Sequence, residues 1–377
     1  MKVVIAKQDL VTIIGKIQNI VPLRPTSPIL SNVLLEAVDD QLVISATDLT
    51  VSMRCYIEAK VVEEGSIALP ARRFFQLIRE LTSSQVKITA LTNEAAEITT
   101  GTSLFKIHGM NREEFPHLPD LTDTPELQLA KGVLKEMFAK TSFAAAKEDS
   151  RFTLNGVQIQ IADKKATFIG TDGKRLAKIS TPVPMDPLFR GSYLIPLKAV
   201  DEMLKILDET DSTATLSLAY DKIALEAGSI TLISKLLAGQ YPDVDRVIPK
   251  ESAHHCILHR EEITALLRQV SLFTSEGSGS VRFTFETGQL HLSAQSGEIG
   301  EGKVSMPVDY AGDRLDIAFN PFFFLDILRH SKDETVDFGF NDPHNPGVIT
   351  DSGSALFVLM PMRLTEITPT PSETADV

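Results

Sequence analysis

The sequence predicts an α+β protein made of three repeated domains, each built from two strand–helix–three-strand units. The first observation is a strand pair with a turn in residues 155–176, whose apolar and polar residues alternate as in a half-buried sheet. A comparable pattern occurs at 32–48 and again at 281–296. The second observation is the length of the repeat. At about 125 residues it far exceeds the period of a solenoid, so each repeat can bury its own core.

The first repeat shows the pattern in chain order. Residues 2–6 form a strand, and the apolar stripe that follows predicts a helix over 7–21 that ends before Pro22. Two prolines, Pro25 and Pro28, stiffen the next loop. The remaining predicted elements are strands at 29–38, 42–47 and 51–62, then a strand at 66–69, a helix at 71–81 and strands at 86–91, 96–100 and 103–108.

Two linkers rich in proline, at 115–125 and 240–249, separate the later repeats. The predicted elements of the second repeat are a strand at 127–129, a helix at 132–142, the strand pair already described, a strand at 193–196, a helix at 197–207 and strands at 213–219, 222–227 and 229–236. Those of the third are a strand at 255–258, a helix at 260–271, its own strand pair, a strand at 315–319, a helix at 321–330 and strands at 335–340, 347–351 and 355–360. The predicted domains are residues 1–120, 126–248 and 252–364, and 365–377 are predicted to form a disordered tail.

Charge is distributed unevenly between the helices and the rest of the chain. The formal net charge of -13 taken alone argues against nucleic acid, because phosphate binding needs local positive charge. The six predicted helices together carry about +5, so the remainder carries about -18. If the helices share a face, that face is a weakly basic surface suited to phosphate. A difference this small also arises by chance.

Cysteine usage and the N-terminus indicate the compartment. Cys55 and Cys256 are far apart in the sequence and give no disulfide framework, which fits a reducing compartment. The apolar start turns polar at Lys7, too early for a signal peptide, and no apolar run reaches membrane-spanning length. We therefore expect a cytoplasmic protein.

The motifs of common enzyme chemistry are absent from the sequence. It has no phosphate loop with a Gly-Lys-Ser/Thr ending and no Gly-x-Ser-x-Gly nucleophile elbow. The glycines of 297–302 lie between predicted strands, which is the wrong context for a dinucleotide loop. His254, His255 and Cys256 resemble a metal cluster with His259, but neighbours on a strand point to opposite faces. The sequence predicts no catalytic site, cofactor or metal.

Several short motifs occur in a fixed order along residues 1–364. They are Arg24-Pro-Thr-Ser-Pro-Ile-Leu30, Thr171-Asp-Gly-Lys-Arg-Leu176, Ser234-Lys-Leu236, Tyr241-Pro-Asp243 and Val358-Leu-Met-Pro-Met-Arg-Leu364. Single pieces of this set are common, whereas the whole set in this order is highly specific. With the three-fold repeat, it resembles the bacterial DNA sliding clamp family, the beta subunits of DNA polymerase III.

The resemblance implies a homodimer that closes into a ring around duplex DNA. Each chain would be half of the ring, with helices inside and sheets outside, and would contact the DNA backbone independently of sequence. A clamp is not an enzyme; it tethers the polymerase at high effective concentration. The implied partners are a clamp loader complex, the alpha subunit of DNA polymerase III, and other polymerases and repair proteins that carry clamp-binding peptides, with no membrane.

The resemblance also implies a partner-peptide pocket between the second and third domains. Its deep apolar part would comprise Leu154, Thr171, Gly173, Arg175, Leu176, Pro242, Val247, Val358 and Met360, and its neighbouring part Asn320, Phe323, Pro361, Met362 and Arg363. Methionines adapt to several ligands, and an extended peptide can anchor leucine or phenylalanine in such a pocket. Met360 and Met362 fit ordinary core packing equally well.

The same resemblance implies that Arg24 and Lys198 contact DNA. A single basic residue at the surface is, however, more often in contact only with water. Ring closure joins an edge strand carrying two apolar residues to an apolar corner after a helix in the other copy. The interface residues implied are Phe105, Ile107, Leu272 and Phe273.

Three features depart from the family pattern. Glu148 replaces a neutral DNA-contacting side chain, and Thr153 replaces an aromatic residue beside the pocket. The chain also continues beyond Leu364, and we expect this segment to compete weakly with partner peptides.

Two other classes of function remain open at this point. One is an enzyme of repeated α+β domains with an unrecognised active site in an inter-domain cleft. The other is a monomeric scaffold that binds peptides without DNA. Sedimentation separates a dimeric ring from the scaffold, and retention on circular but not linear DNA separates it from both.

Overall fold

The computed structural model describes residues 1–274 and 279–363, and its elements repeat one pattern six times: a strand, a helix and three strands. The first two units contain β1 (Lys2–Ala6), α1 (Lys7–Ile17), β2 (Asn32–Val38), β3 (Gln41–Thr47), β4 (Val51–Glu58), an added β5 (Lys60–Glu63), β6 (Gly65–Pro70), α2 (Ala71–Glu80), β7 (Gln85–Ala90), β8 (Ala95–Thr100) and β9 (Ser103–His108). The predicted α+β class and the three-fold repeat are confirmed.

The four later units follow the same order. The third and fourth contain β10 (Glu126–Ala130), α3 (Lys131–Ser142), β11 (Gly156–Ala162), β12 (Lys165–Thr171), β13 (Arg175–Pro182), β14 (Gly191–Pro196), α4 (Leu197–Ile206), β15 (Thr213–Leu218), β16 (Lys222–Ala227) and β17 (Ile230–Lys235). The fifth and sixth contain β18 (His254–His259), α5 (Arg260–Ser271), β19 (Val281–Glu286), β20 (Gln289–Ser296), β21 (Gly300–Pro307), β22 (Leu315–Phe319), α6 (Pro321–His330), β23 (Thr335–Phe340), β24 (Gly347–Thr350) and β25 (Ala355–Leu359).

Three predicted elements of the first repeat differ from the structure for local reasons. The helix expected over 7–21 ends at Ile17, because the next residues form tighter turns such as Ile20 N–H to Ile17 C=O. The strand expected over 29–38 begins with a 3₁₀ turn, Pro28–Ser31, where proline suits the first helical position. The strand expected over 51–62 is two strands separated at Ala59.

The chain forms two compact units. The first contains residues 1–168 and 181–241, and the second contains Ile169–Ser180 with the described residues from Pro242 onward. In the first unit the strand orders are β5-β1-β7-β8-β9 and β10-β15-β16-β17-β4-β3-β2-β6, with β14 paired to β11. In the second unit they are β13-β25-β24-β23-β18 and β21-β20-β19-β22.

An aromatic core fixes the position of α6 within the second unit. Phe324 is fully buried on this helix, and its ring stacks on Phe283 with centroids 5.3 Å apart. It also meets Phe338 edge-on at 5.4 Å. Such aromatic pairs add directional packing to the burial of apolar surface. The exposed face of α6 is therefore held in a defined orientation toward β13 and β25.

Candidate functional site

The turn between β12 and β13 is held rigid by its own side chains. Thr171 Oγ1 donates to the Arg175 carbonyl at 2.6 Å and accepts from the Gly173 N–H at 3.1 Å. Asp172 Oδ1 accepts from the N–H groups of Lys174 and Arg175. Gly173 has φ of +84°, a conformation that favours glycine. The turn therefore starts β13 in a fixed place.

Backbone pairing brings the predicted apolar residues of β13 and β25 together. Leu176 lies opposite Val358 in an antiparallel register, and both side chains are buried. The Met360 N–H donates to the Lys174 carbonyl at 2.9 Å, and the Met360 side chain is 39% exposed. Met362 forms a bridge to Ala318 through a 2.7 Å bond from its N–H. The result is an apolar surface with two partly exposed methionines, Met360 at its rim and Met362 beside it.

A charged network joins this surface to α6. Arg175 Nε donates to Asp172 at 3.1 Å, and Arg175 Nη1 donates to Asp326 at 2.7 Å. The guanidinium lies 4.5 Å from the centroid of the Phe323 ring, within the range of a cation–π contact. The Asn320 side chain caps the first turn of α6 by accepting from the Phe323 N–H at 3.4 Å. Arg175 thus orients both an acid and an aromatic ring of α6.

The segment 242–247 completes this surface in the second unit. Lys178 on β13 forms an ion pair with Asp245, which lies in the short 3₁₀ helix Val244–Arg246. Alternation along β13 puts Lys178 on the same face as Leu176. The ion pair ties the segment 242–247, in which Pro242 and Val247 are both exposed, to β13. We name the surface of β13, β25, α6 and 242–247 the apolar pocket.

A neighbouring histidine stays neutral. Burial lowers the pKa of His330, outweighing its contact with the Asp326 carbonyl, which raises it. The imidazole Nδ1 lies 2.8 Å from that carbonyl oxygen. At neutral pH it adds no charge beside the Arg175–Asp326 pair.

The structure places the other predicted pocket residues as follows. Leu154 belongs to the first unit, where it is buried in the 3₁₀ helix Phe152–Leu154. Pro361 is half-buried and Arg363 is exposed. The predicted tail, and Leu364 with it, lies outside the described residues.

The two basic residues predicted to contact DNA both lie in the first compact unit. Arg24 is exposed in the loop after α1. Lys198 on α4 donates to Asp48 in the turn between β3 and β4. Burial raises the pKa of Asp48, but the hydrogen bonds from Lys198 and from the N–H groups of Val51 and Thr50 lower it further, to below the usual value. Lys198 therefore carries a partner acid in this structure.

Two sheet edges hold the residues predicted for the dimer interface. β9 is the last strand of its sheet, and Phe105 on it is 38% exposed whereas Ile107 is buried. β21 is the edge of the four-stranded sheet in the second unit. Phe273 packs beside this strand, so closely that a Cβ at Gly302 would lie 2.4 Å from its ring. Leu272 is 71% exposed.

Comparison with known families places the chain. Family profiles described as the N-terminal, central and C-terminal domains of the DNA polymerase III beta subunit match residues 1–119, 128–243 and 245–363. The chain belongs to the DNA polymerase III beta subunit family. Full-length relatives in this family are named beta sliding clamps, so its function is that of a DNA sliding clamp, a processivity factor without catalysis.

Full-length relatives agree with this family. A protein of Chlamydia muridarum named beta sliding clamp is 51% identical over 97% of this chain and 99% of its own length. The beta sliding clamp of Escherichia coli K12 is 30% identical over 97% of this chain and all of its own. The crystal structure of the DNA polymerase sliding clamp of Bacillus subtilis covers 97% of this chain and all of its own, with a TM-score of 0.93 and 26% identity.

The described residues of this beta subunit also bear on metal binding and on membrane-spanning helices. The described residues contain no group of three or more side chains suited to hold a metal. His255 instead lies 3.0 Å from Asp337, while Cys256 is buried on the opposite face of β18. No helix in the described ranges is long and apolar enough to cross a membrane.

Two ion pairs of this beta subunit's apolar pocket, Arg175 with Asp326 and Lys178 with Asp245, were not predicted from the sequence. Asp326 is 151 residues from Arg175 in the chain, so no local pattern links them. Lys178 and Asp245 read as ordinary surface charges on their own. The one usable signal was Asp172, because Asp-Gly marks a turn in which the acid binds backbone N–H groups.

We expect Asp326→Asn to weaken binding of a peptide with leucine and phenylalanine anchors by about fivefold, because losing the charge loosens Arg175 from Phe323. Isothermal titration measures the change. The matched control is Asp309→Asn, an exposed acid of the same unit. Equal affinity in the two variants would show that Asp326 does not organise the pocket.

Proposed function

We propose that two copies of this chain close into a ring that encircles duplex DNA and tethers the replicative polymerase. The observation that carries the proposal is a rule of strand pairing between repeats. In the first repeat, β4 is the third strand after the first helix. It pairs with β17, which is the third strand after the second helix of the next repeat. β13 pairs with β25 by the same rule. The strands left over are β21 and β9, so the rule is completed by joining β21 to the β9 of another copy.

The two internal pairings also predict the register of this junction. Val51 lies opposite Ser234, and Arg175 lies opposite Leu359. β21 corresponds to β4 through the shared pattern Gln-Leu-x-x-Ser-Ala that opens β3 and β20. β9 corresponds to β17 because β8 and β16 pair with them in the same register.

Carrying the register over gives specific contacts across the proposed junction. Glu301 of one copy faces Lys106 of the other, and Gly302 faces Phe105. The small glycine leaves room for Phe273, which packs there, so Phe105 would meet a second aromatic ring. An ion pair on one face and an aromatic contact on the other are both favourable cross-strand pairs.

A charge exchange tests this register. We expect Lys106→Glu and Glu301→Lys each to weaken the dimer by about 1 kcal/mol per interface, because each places like charges opposite one another. The double variant restores the attraction and should return the dimer constant close to that of the wild type. Sedimentation velocity over a concentration series measures all four proteins. Additive weakening in the double variant would show that the two residues do not face each other.

For the partners, we propose that the apolar pocket binds the clamp-binding peptides of the loader, the alpha subunit and other polymerases and repair proteins. An apolar surface with an adaptable methionine at its rim supports this, because such a surface accepts different apolar anchors. The charged network at its side gives it a fixed shape.

For DNA, we propose that Arg24 and Lys198 contact the phosphates of the DNA backbone. Lys198 would leave its present partner, Asp48, to bind a phosphate. Such contacts weaken as salt rises, because binding releases condensed counterions. The proposed domain bounds are 1–120, 126–248 and 252–364, and the proposed compartment is the cytoplasm.

The test of the ring is topological. Protein loaded on nicked circular DNA by its loader should stay bound at high salt, because a closed ring leaves only over a free end. Cutting the circle should release it. Equal retention on circular and linear DNA, or sedimentation as a monomer at micromolar concentration, would contradict the proposal.

A further inference from the structure

In the first repeat, the chain after β9 lies on one face of the sheet that contains β2 and β6. Met110 bridges to Ala68 on β6. Phe115, five residues further along, is buried in an apolar cluster with Leu34 of β2 and the same Ala68. Leu34 and Ala68 lie opposite each other in the strand register, so their side chains share a face. An aromatic side chain that follows the bridge thus covers this face.

Hydrogen bonds between opposite charges hold the same segment on the sheet. Arg112 donates to Glu36 from Nε at 2.9 Å and from Nη2 at 2.7 Å. Glu36 is two residues after Leu34 on β2 and therefore points to the same face. The segment after β9 is attached by a backbone bridge, an apolar anchor and an ion pair.

The second repeat begins its linker in the same way. The Leu237 N–H donates to the Leu194 carbonyl of β14 at 2.8 Å. Gly239 follows so close to the start of β11 that a Cβ on it would lie 2.9 Å from Thr153 Cγ2. Tyr241, again just before a proline, is buried. Both linkers therefore turn back onto their own domain and bury an aromatic residue.

The third repeat has the same bridge beside a matching pair of strands. Met362 bridges to Ala318 on β22, as Met110 does to Ala68. Ala318 lies opposite Arg282 on β19, and Ala68 lies opposite a leucine of β2. Arg282 therefore occupies the position of that leucine, so the face that is apolar in the first repeat is basic in the third.

This face points away from the helices and carries a groove. Phe283, the neighbour of Arg282 on β19, stacks on a ring of α6, so Arg282 points to the other side of the sheet. A groove of about 350 Å³ opens on that side, and its lining includes Thr284, His291 and Arg314. We name the surface formed by Arg282, Thr284, His291 and Arg314 the polar face.

The segment of the chain that follows the third bridge has the complementary charge. Residues 364–377 contain three acidic residues and no basic one. Ile367 is five residues after Met362, the spacing that separates Phe115 from its own bridge. Glu366 precedes this apolar residue directly. An apolar anchor with an adjacent carboxylate suits a face that presents an arginine.

We infer that residues 364–377 bind the polar face, with Ile367 over Ala318 and Glu366 paired with Arg282. Arg282 has no ion-pair partner in residues 1–274 and 279–363, so its charge is available to this carboxylate. The placement leaves the apolar pocket open to partner peptides, in contrast to the competition expected from the sequence. It does not depend on the proposed function.

The proposed ring is compatible with this placement. The strand order of the sheet is β21-β20-β19-β22, and the junction joins β21 to another copy. Ala318 is on β22, at the opposite edge, and Arg282 is on the strand beside it. A segment that crosses these two strands therefore does not meet the junction.

Cysteine cross-linking in the full chain tests the placement. Thr368→Cys is combined either with Ser293→Cys, opposite Arg282 in the strand register, or with Met360→Cys in the apolar pocket. The two natural cysteines are buried. With oxidised glutathione, we expect at least about fivefold more intramolecular disulfide in the first pair, because binding raises the effective concentration of one thiol at the other. Peptide mapping by mass spectrometry measures the yields.

The arginine is tested in the same cross-linking pair. Arg282→Ser should lower the disulfide yield at least about threefold, because the segment loses a charge-assisted hydrogen bond. The control, Arg268→Ser, removes an exposed basic residue from α5 in the same unit and should leave the yield unchanged. Circular dichroism melting checks that both variants are folded.

The other outcomes overturn the inference. A higher yield with Met360→Cys would place the segment in the apolar pocket, and equal yields in the two pairs would show that it binds neither surface. Equal loss in the Arg282 and Arg268 variants would show general charge attraction.

A leucine–phenylalanine peptide separates this inference from the proposed function. Its affinity for a chain cut after Leu364 should equal its affinity for the full chain, and a higher affinity for the shorter chain would show competition at the apolar pocket and overturn the inference. Failure to bind either chain would refute the proposed pocket, whereas the cross-linking yields would still decide where residues 364–377 bind.

Discussion

Phe105→Asp should convert the dimer to monomer at concentrations where the wild type is fully dimeric. In the proposed ring, Phe105 is desolvated against Phe273 and Gly302 of the other copy, so an aspartate there would be a buried, unpaired charge. Such a charge costs about 3 kcal/mol or more at each interface, and a two-fold ring has two interfaces. The dimer should therefore lose about 6 kcal/mol in total. Sedimentation equilibrium measures the dissociation constant.

The neighbouring residue provides a matched control. Leu104 is 62% exposed and lies on the opposite face of β9. In the predicted register it faces Lys303, so Leu104→Asp introduces the same charge beside a cation and should leave the dimer intact. Circular dichroism melting of both variants checks that each monomer is folded. Two dimeric variants, or two monomeric ones, would contradict the register.

The alternation of apolar and polar residues was enough to predict the fold class and most strands. It did not predict β13 and β21, each of which is the third strand after its helix. β21 contains two glycines, Gly300 and Gly302, and two charged residues, Glu301 and Lys303, so it lacks the period-two pattern that marks a half-buried strand. Its place at a sheet edge explains that composition, because an edge strand buries only part of one face.

The candidate site was predictable only where a motif is local. The turn from Thr171 to Arg175 could be predicted from the sequence, because Asp172 accepts a hydrogen bond from a backbone N–H within the turn and Gly173 adopts the positive φ that the turn requires. The pairing of Leu176 with Val358 depends on a register between strands far apart in the chain. The Lys198–Asp48 ion pair also joins distant segments. Interactions of this kind depend on the fold, and the family resemblance supplied the residues without the contacts.

Met360→Ala combined with Met362→Ala should weaken partner-peptide binding by about 2 kcal/mol, or about thirtyfold in Kd, because both substitutions remove apolar surface that the peptide's anchor side chains would bury. Met360 is partly exposed at the rim of the apolar pocket, so its loss should cost little folding stability. The dimer should be unaffected, since neither residue lies on β9 or β21.

The control for this pair is Ile257→Ala, which removes an exposed apolar side chain from β18 in the same unit. Titration calorimetry with one peptide across the three proteins gives the comparison. A thirtyfold loss confined to the methionine variant would identify the apolar pocket as the binding surface, because general loss of apolar surface affects the control equally. Unchanged affinity in the methionine variant would mean that the peptide anchors elsewhere, and that Met360 and Met362 only fill the core.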